Sequence, residues 1–120
     1  MKANVINKRG ITIVTFEGHI SYARAHELRK QLKRLYASKR NQKMIFNLEK
    51  LEFVGSSGIR YFIDVFKELT QKRTQPRFYG ISAEFEYLFE AFRGRKRFKI
   101  FSDEKKALKS YRIVKKSAKA

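Results

Sequence analysis

The sequence of 120 residues lacks several residue types that common protein classes need. It has no cysteine, which excludes a disulfide scaffold, a thiolate zinc site, an iron–sulfur cluster and a cysteine nucleophile. Its two histidines, His19 and His26, fall on different predicted elements, so they do not suggest a metal pair, and we expect no metal and no cofactor. Pro76 is the one proline and there are six glycines, so no Pro- or Gly-rich linker divides the chain.

Long apolar runs are also missing. The N-terminal region contains none, so we expect neither a signal peptide nor a membrane span, and we expect a soluble, cytoplasmic protein. Apolar residues nevertheless make up 42% of the chain, and phenylalanine occurs 11 times. That share argues against disorder. A chain of this length buries about two thirds of its unfolded surface, which is enough for one hydrophobic core, so we expect one domain.

Acidic residues are scarce compared with basic ones: 11 against 29, for a net charge of +18. The excess is unevenly distributed. Residues 44–92 contain six basic and seven acidic residues, whereas residues 22–43 contain eight and one, and residues 93–120 contain twelve and two. Basic segments of this kind attract acidic partners, nucleic acids or anionic membranes.

Short β-branched and apolar runs alternate with stretches of helical periodicity. The five predicted strands, the second of them ended by Gly18, are Val5–Asn7, Ile11–Phe16, Met44–Leu48, Phe78–Ile81 and Phe98–Phe101. Three of the four predicted helices follow a serine that can cap the first turn, and these serines are Ser21, Ser82 and Ser102. The fourth is an apolar helix over Ile59–Leu69.

The resulting order is β-β-α-β-α-β-α-β-α, which predicts an α/β fold with a mixed, mostly parallel five-stranded sheet and about four helices. The first hairpin adds one antiparallel strand at the edge. We assign residues 1–114 to this domain and residues 115–120 to a basic C-terminal tail.

The segment Gly55-Ser56-Ser57-Gly58 is the one place where local chemistry stands out. It connects a predicted buried strand with the apolar helix, and binding sites in open α/β sheets form at the carboxyl ends of strands. A purely structural interpretation is also open, in which one serine caps the helix and the glycines permit a tight turn.

Residues 47–59, which read Asn-Leu-Glu-Lys-Leu-Glu-Phe-Val-Gly-Ser-Ser-Gly-Ile, resemble the signature of the STAS domain family. These domains occur in bacterial anti-sigma factor antagonists and in the cytoplasmic tails of sulfate transporters. The resemblance extends to Gly18–Ser21, to Phe78–Ser82 and to the closing segment Phe101–Leu108. Where the family pattern has aspartate, this chain has Ser21, Asn47 and Gly55.

The resemblance implies a STAS-like domain that binds a protein partner and is not an enzyme. In family members that act alone, a partner kinase that is also an anti-sigma factor phosphorylates the first serine of the turn, and the unphosphorylated protein binds that kinase. Carried over by position, this phosphorylation site is Ser56, with Ser57 as the second candidate. The partner-binding residues that the resemblance implies are Ser21, Asn47, Gly55, Ser56, Ser57, Gly58, Ile59 and Arg60. Because the chain is so basic, we expect the partner's face to be acidic.

The basic segments support an alternative hypothesis, in which the protein binds nucleic acid electrostatically or serves as an accessory protein at an anionic membrane, as in lipid transport. The sequence has neither a recognised nucleic-acid module nor a Walker A loop. Its scattered acidic residues form no pair suited to acid–base catalysis. The basic patch considered for this alternative consists of Arg93, Arg95, Lys96, Arg97 and Lys99.

Overall fold

The computed structural model describes residues 2–38, 43–53, 55–69, 76–92 and 98–119. The elements in chain order are β1 (Lys2–Lys8), β2 (Ile11–Ile20), α1 (Tyr22–Ala37), β3 (Met44–Phe53), α2 (Gly55–Leu69), β4 (Arg77–Tyr79), α3 (Ala83–Phe92), β5 (Lys99–Phe101) and α4 (Glu104–Lys119). The predicted α/β fold and its order of strands and helices are confirmed.

The five strands form one mixed sheet in the order β1-β2-β3-β4-β5. β1 is antiparallel to β2, and every other pair of neighbours is parallel, as predicted. The β1–β2 turn places Arg9 at φ 52° and Gly10 at φ 84°, the left-handed pair that a two-residue hairpin requires. The parallel strands begin at one edge of the sheet, here the amino edge, and end at the other, here the carboxyl edge.

Alternating side chains of the strands build a separate apolar cluster on each face of the sheet. Val14 and Phe46 belong to the larger cluster, which α1, α2 and α3 cover. Ile13 and Ile45 belong to the smaller one, which α4 covers with Ala107 among others. Helices therefore cover both faces, and this arrangement is typical of parallel sheets.

Phenylalanine rings fill the larger cluster. The ring centroids of Phe46 and Phe66 lie 4.8 Å apart at an interplanar angle of 76°, and those of Phe66 and Phe78 lie 5.0 Å apart at 77°. Edge-to-face contacts of this kind add roughly 0.5–1.5 kcal/mol per pair to the gain from burial. This ring network anchors α2 to the middle of the sheet.

Two strands continue beyond their predicted ends. Gly18 does not end β2, because it stays in the ladder opposite Leu51, and the strand continues to Ile20. β3 runs to Phe53 rather than Leu48, because its second half pairs with the end of β2. These two strands therefore extend past the end of β4 at the carboxyl edge.

The first residues of the helices confirm two of the predicted caps and correct the third. Ser21 and Ser82 are confirmed as caps, since their hydroxyls accept backbone N–H groups three residues later at 3.4 Å. Ser102 was wrong as the cap of α4: the Asp103 carboxylate accepts the Lys106 N–H at 2.8 Å instead. A carboxylate at this position also interacts favourably with the helix dipole.

Two further boundaries differ from the sequence assignment. α2 begins at Gly55, so the segment predicted to be a turn before the helix forms its first turn. α4 runs to Lys119, through the proposed domain boundary at residue 114, and that boundary stays a prediction.

Candidate functional site

The candidate site lies at the carboxyl edge, where β2 and β3 end side by side. Ile20 and Phe53 are register partners at the ends of these strands, and α1 and α2 begin two residues later. We call Ser21 and the first turn of α2, residues 55–58, the serine corner. The sequence brings these segments together because β2 and β3 are parallel neighbours of matching length.

Gly58 makes the closest contact of the serine corner. A Cβ at this position would lie 2.9 Å from the Ile20 carbonyl oxygen and 3.5 Å from the Ser21 Cα. Both neighbours are backbone atoms, so they cannot move aside as a flexible side chain would. The absent side chain therefore lets the first turn of α2 pack directly on the end of β2. This contact fixes the position of the predicted partner-binding residues on α2.

The residues around Gly58 divide between the core and the surface. Ser57 and Arg60 are exposed, whereas Ile59 is fully buried in the apolar cluster beneath α2. Gly55 and Ser56 belong to the first turn of the helix, and the Ser56 side chain lies outside the described part of the structure. Ser57 is consequently the candidate hydroxyl that the structure places at the surface.

The environment of Ser57 suits an anion. The first-turn N–H groups of a helix favour negative charge. Arg60 lies three positions after Ser57 and four after Ser56, which puts it on the same side of the helix as either one. Its guanidinium lies 5.5 Å from the centroid of the Phe92 ring.

The two other predicted partner-binding residues have structural roles. The Ser21 hydroxyl caps α1 and is half-buried beside Gly58, so it belongs to the corner. Asn47 does not, because it lies in the middle of β3 opposite Thr15 and Tyr79. Its side-chain oxygen accepts the Glu49 N–H at 3.0 Å, where the register between β2 and β3 shifts.

An exposed contact between a histidine and a carboxylate, which the sequence did not predict, lies next to the serine corner. His19 and Glu52 are register partners near the ends of β2 and β3, and the His19 Nε2 lies 2.8 Å from a Glu52 carboxylate oxygen. The signal that could have found it is the strand register, which is a property of the pairing and is not visible in either strand alone.

Two polar contacts connect the outer sides of α1 and α2. The His26 Nδ1 and the Tyr61 hydroxyl lie 3.2 Å apart, and the Arg29 Nε donates to the Glu68 carboxylate at 3.0 Å. The hydrogen bond from Arg29 lowers the pKa of Glu68, and the same pairing raises the pKa of Arg29. These contacts connect the two helices that carry the serine corner.

The basic patch predicted from the sequence is not at this corner. Lys99 is exposed at the start of β5, on the amino edge. Arg93, Arg95, Lys96 and Arg97 lie outside the described residues. Within the described ranges, no helix is long and apolar enough to cross a membrane, and no group of three or more His, Asp or Glu side chains could hold a metal ion.

Comparisons with known proteins agree with this architecture. A family model described as the STAS domain matches residues 2–107. No curated protein sequence matches the chain. Among solved structures, the chain is similar to an anti-sigma factor antagonist from Mycobacterium paratuberculosis, with a TM-score of 0.73 and 20% identity over 92% of this chain and 93% of that one.

Two structures of another protein are similar as well. The anti-sigma factor antagonist SpoIIAA in its unphosphorylated form has a TM-score of 0.67 and 16% identity over 92% of this chain and 98% of that one. The Bacillus cell fate determinant SpoIIAA in the phosphorylated form has a TM-score of 0.63 and 16% identity over 92% and 99%. At such identities the similarity establishes the fold.

Proposed function

Because the chain belongs to the STAS domain family, we propose that it is a regulatory protein-binding module of the anti-sigma factor antagonist type. It acts by binding and not by catalysis, and its partner is an anti-sigma factor or serine kinase with an acidic face. The serine corner and the exposed side of α2 make the contact. Phosphorylation of Ser56 or Ser57 switches the binding off. This function implies a cytoplasmic protein of a bacterium.

The observation that carries the proposal is the exposed Ser57 hydroxyl in the first turn of α2, beside the backbone contact at Gly58. A phosphate there meets free N–H groups and the positive end of the helix dipole, so the domain itself tolerates it. Arg60, one helical turn further along, is the cation that we expect the phosphate to pair with in place of its contact with the Phe92 ring.

The chain's departures from the family pattern make this corner less acidic. Neutral residues stand at positions 21, 47 and 55, where the pattern has aspartate. Of these, Ser21 and Gly55 lie at the corner, so a phosphate meets less repulsion there than it would beside carboxylates. Phosphorylation then weakens binding of the partner, since an unpaired anion in a closed interface is costly to desolvate.

The test begins with affinity capture of the partner from the host and continues with measured affinities of variants. We expect Ser56→Asp or Ser57→Asp to weaken binding by about 5- to 150-fold, the range that a coupling of 1–3 kcal/mol produces. The matched control is Ser102→Asp, because Ser102 is also exposed at the carboxyl edge but lies outside the serine corner and does not cap α4.

Two results would contradict the proposal. One is an affinity that neither aspartate variant changes. The other is an equal loss in the Ser102→Asp control, which would reduce the effect to the added negative charge. Separately, an association rate that does not fall with rising salt would contradict the expectation that the partner's face is acidic.

A further inference from the structure

Arg77, the first residue of β4, is a buried cation. Only 8% of its surface is exposed, and its Nε is buried without a hydrogen-bond partner. Its guanidinium carbon lies 3.6 Å from the centroid of the Tyr111 ring. An aromatic face stabilises a cation but does not neutralise it, and a guanidinium stays protonated in proteins. A charge this buried calls for a counter-ion.

The described part of the chain does not supply that counter-ion. Among the described residues, no carboxylate lies within ion-pair distance of Arg77. The segments 39–42, 70–75 and 93–97, which are not described, contain neither aspartate nor glutamate. Glu84 is the one acidic residue whose side chain is not described, and it lies in the first turn of α3, beyond the opposite end of β4.

Further cations stand at the starts of the parallel strands. Arg77 and Lys99 are direct register partners, so both side chains project from the same face of the sheet. Like charges at paired positions repel each other. Lys43 immediately precedes β3 and Arg9 stands two residues before β2, and both are exposed, as is Lys99. Neighbouring strands lie about 4.8 Å apart and a strand rises about 3.3 Å per residue, so these four residues step over roughly 14 Å across the strands and roughly 13 Å along them. We call this group the cationic edge.

We propose that the cationic edge binds the phosphate backbone of a nucleic acid, in a function separate from that of the serine corner. A row of cations along one edge matches the repeating charge of a phosphate backbone. The exposed residues Arg9, Lys43 and Lys99 make the contacts with phosphates, and the buried Arg77 adds an uncompensated positive charge beneath them. Contacts to phosphates position a protein without reading bases, so the binding has little sequence preference and falls steeply with salt.

The surroundings of the cationic edge favour nucleic acid over a lipid surface. Membrane-binding surfaces combine cations with exposed apolar side chains. The large hydrophobic residues exposed in the described part of the chain are Val5 and Ile6, in β1, and Tyr87, in α3. β2 and β3 separate the first two from Arg77, and α3 covers the opposite face from Arg77 and Tyr111.

The test measures the anisotropy of a fluorescein-labelled DNA of about 20 nucleotides, as a single strand and as a duplex, over a range of sodium chloride concentrations. The informative variant is Lys43→Ala/Lys99→Ala, because both side chains are exposed and their loss should leave the fold intact. Its matched control is Lys30→Ala/Lys105→Ala, which removes two equally exposed charges from outside the cationic edge.

We expect the edge variant to bind at least about tenfold more weakly and to lower the slope of log affinity against log salt by about two, one for each lost phosphate contact. The control should lose less than about threefold, since it changes net charge alone.

Three outcomes would overturn the proposal. The first is no binding of either DNA by the wild-type protein at low salt. The second is an equal loss in the edge and control variants, which would show that net charge alone attracts the DNA. The third is displacement of the DNA by phosphatidylserine vesicles or by polyglutamate as effectively as by unlabelled DNA at matched charge, which would assign the edge to membranes or to acidic proteins.

Discussion

The two edges of the sheet differ in how their polar groups are satisfied. At the carboxyl edge, polar side chains find partners within the chain: His19 pairs with Glu52, and Ser21, Ser82 and Asp103 cap helices. At the amino edge, each parallel strand begins at or just after a cation, and Arg77 is buried without a carboxylate partner in the described structure. These polar groups of the carboxyl edge are therefore satisfied within the chain, whereas the amino edge carries charge that a ligand can neutralise.

The helix dipoles contribute to this division but do not account for all of it. All four helices begin near the carboxyl edge, where positive dipole ends favour hydroxyls and acidic groups, and α1 to α3 end toward the amino edge, where negative ends favour cations. The dipole effect is typically 0.3–1 kcal/mol and fades within about one turn. It is too small to replace a counter-ion for a buried guanidinium. The comparison teaches that the two edges are suited to different ligands.

The largest effect on stability is expected at the amino edge, from Tyr111→Phe. The Tyr111 hydroxyl donates to the Met44 carbonyl at 2.9 Å and accepts the Met44 N–H at 3.1 Å, which fastens α4 to the start of β3. Losing that hydroxyl removes both buried bonds and should lower the free energy of unfolding by about 2–4 kcal/mol in urea titrations. Tyr61→Phe, which alters the more exposed contact to His26, is the control and should cost much less. A comparable loss of stability in Tyr111→Phe and Tyr61→Phe would contradict the greater importance assigned to the buried Tyr111 hydroxyl.

At the carboxyl edge, the backbone contact of Gly58 should matter more than the serine beside it. Gly58→Ala forces a Cβ against the Ile20 carbonyl oxygen and should reduce the free energy of unfolding by about 1–3 kcal/mol. Ser57→Ala, at an exposed position one residue away, should change it by less than about 0.5 kcal/mol. The same urea titrations measure both. A destabilised Ser57→Ala variant would mean that the serine is needed for folding and would weaken the case for a regulatory role.

The smallest predicted effect concerns alkaline pH. Burial, aided by the charges of Glu104 and Glu49, raises the pKa of Tyr79 to about 12, so the folded state favours the neutral phenol. This contribution to stability is complete below the ordinary pKa of about 10 and is lost as the pH rises through 12. Between pH 8 and pH 11 the folded state should lose stability on the order of 1 kcal/mol, a loss that Tyr79→Phe avoids. Equal losses of stability in the wild-type protein and the Tyr79→Phe variant over this pH range would show that Tyr79 is not responsible for the loss.

Local signals in the sequence predicted most of the fold. Periodicity gave the order of elements, and the capping chemistry of Ser21 and Ser82 needs only residues within one helical turn. The errors arose where a neighbour decides the outcome. Gly18 stays in β2 because β3 pairs with it, and Asp103 replaces Ser102 as the cap because α4 begins at Glu104, one residue later than a cap at Ser102 requires.

The candidate sites were less accessible to sequence reasoning. The family resemblance pointed to Ser56 and Ser57. The requirement for glycine at position 58, however, comes from a close contact with the end of β2, 38 positions earlier in the chain. Nothing in the sequence around Arg77 indicates a buried guanidinium, because burial of a three-residue strand depends on the helix that packs over it. Long-range packing, which leaves no local pattern in the sequence, determines both the need for Gly58 and the burial of Arg77.

The central claim is that phosphate at the serine corner controls binding of a protein partner. The most direct measurement is mass spectrometry of the protein isolated from its own cells, with the partner-bound and free pools analysed separately. The account predicts phosphate at residue 56 or 57 in the free pool and its near absence from the bound pool. A phosphorylated fraction that is the same in both pools, or no phosphate at either serine under any growth condition, would contradict it.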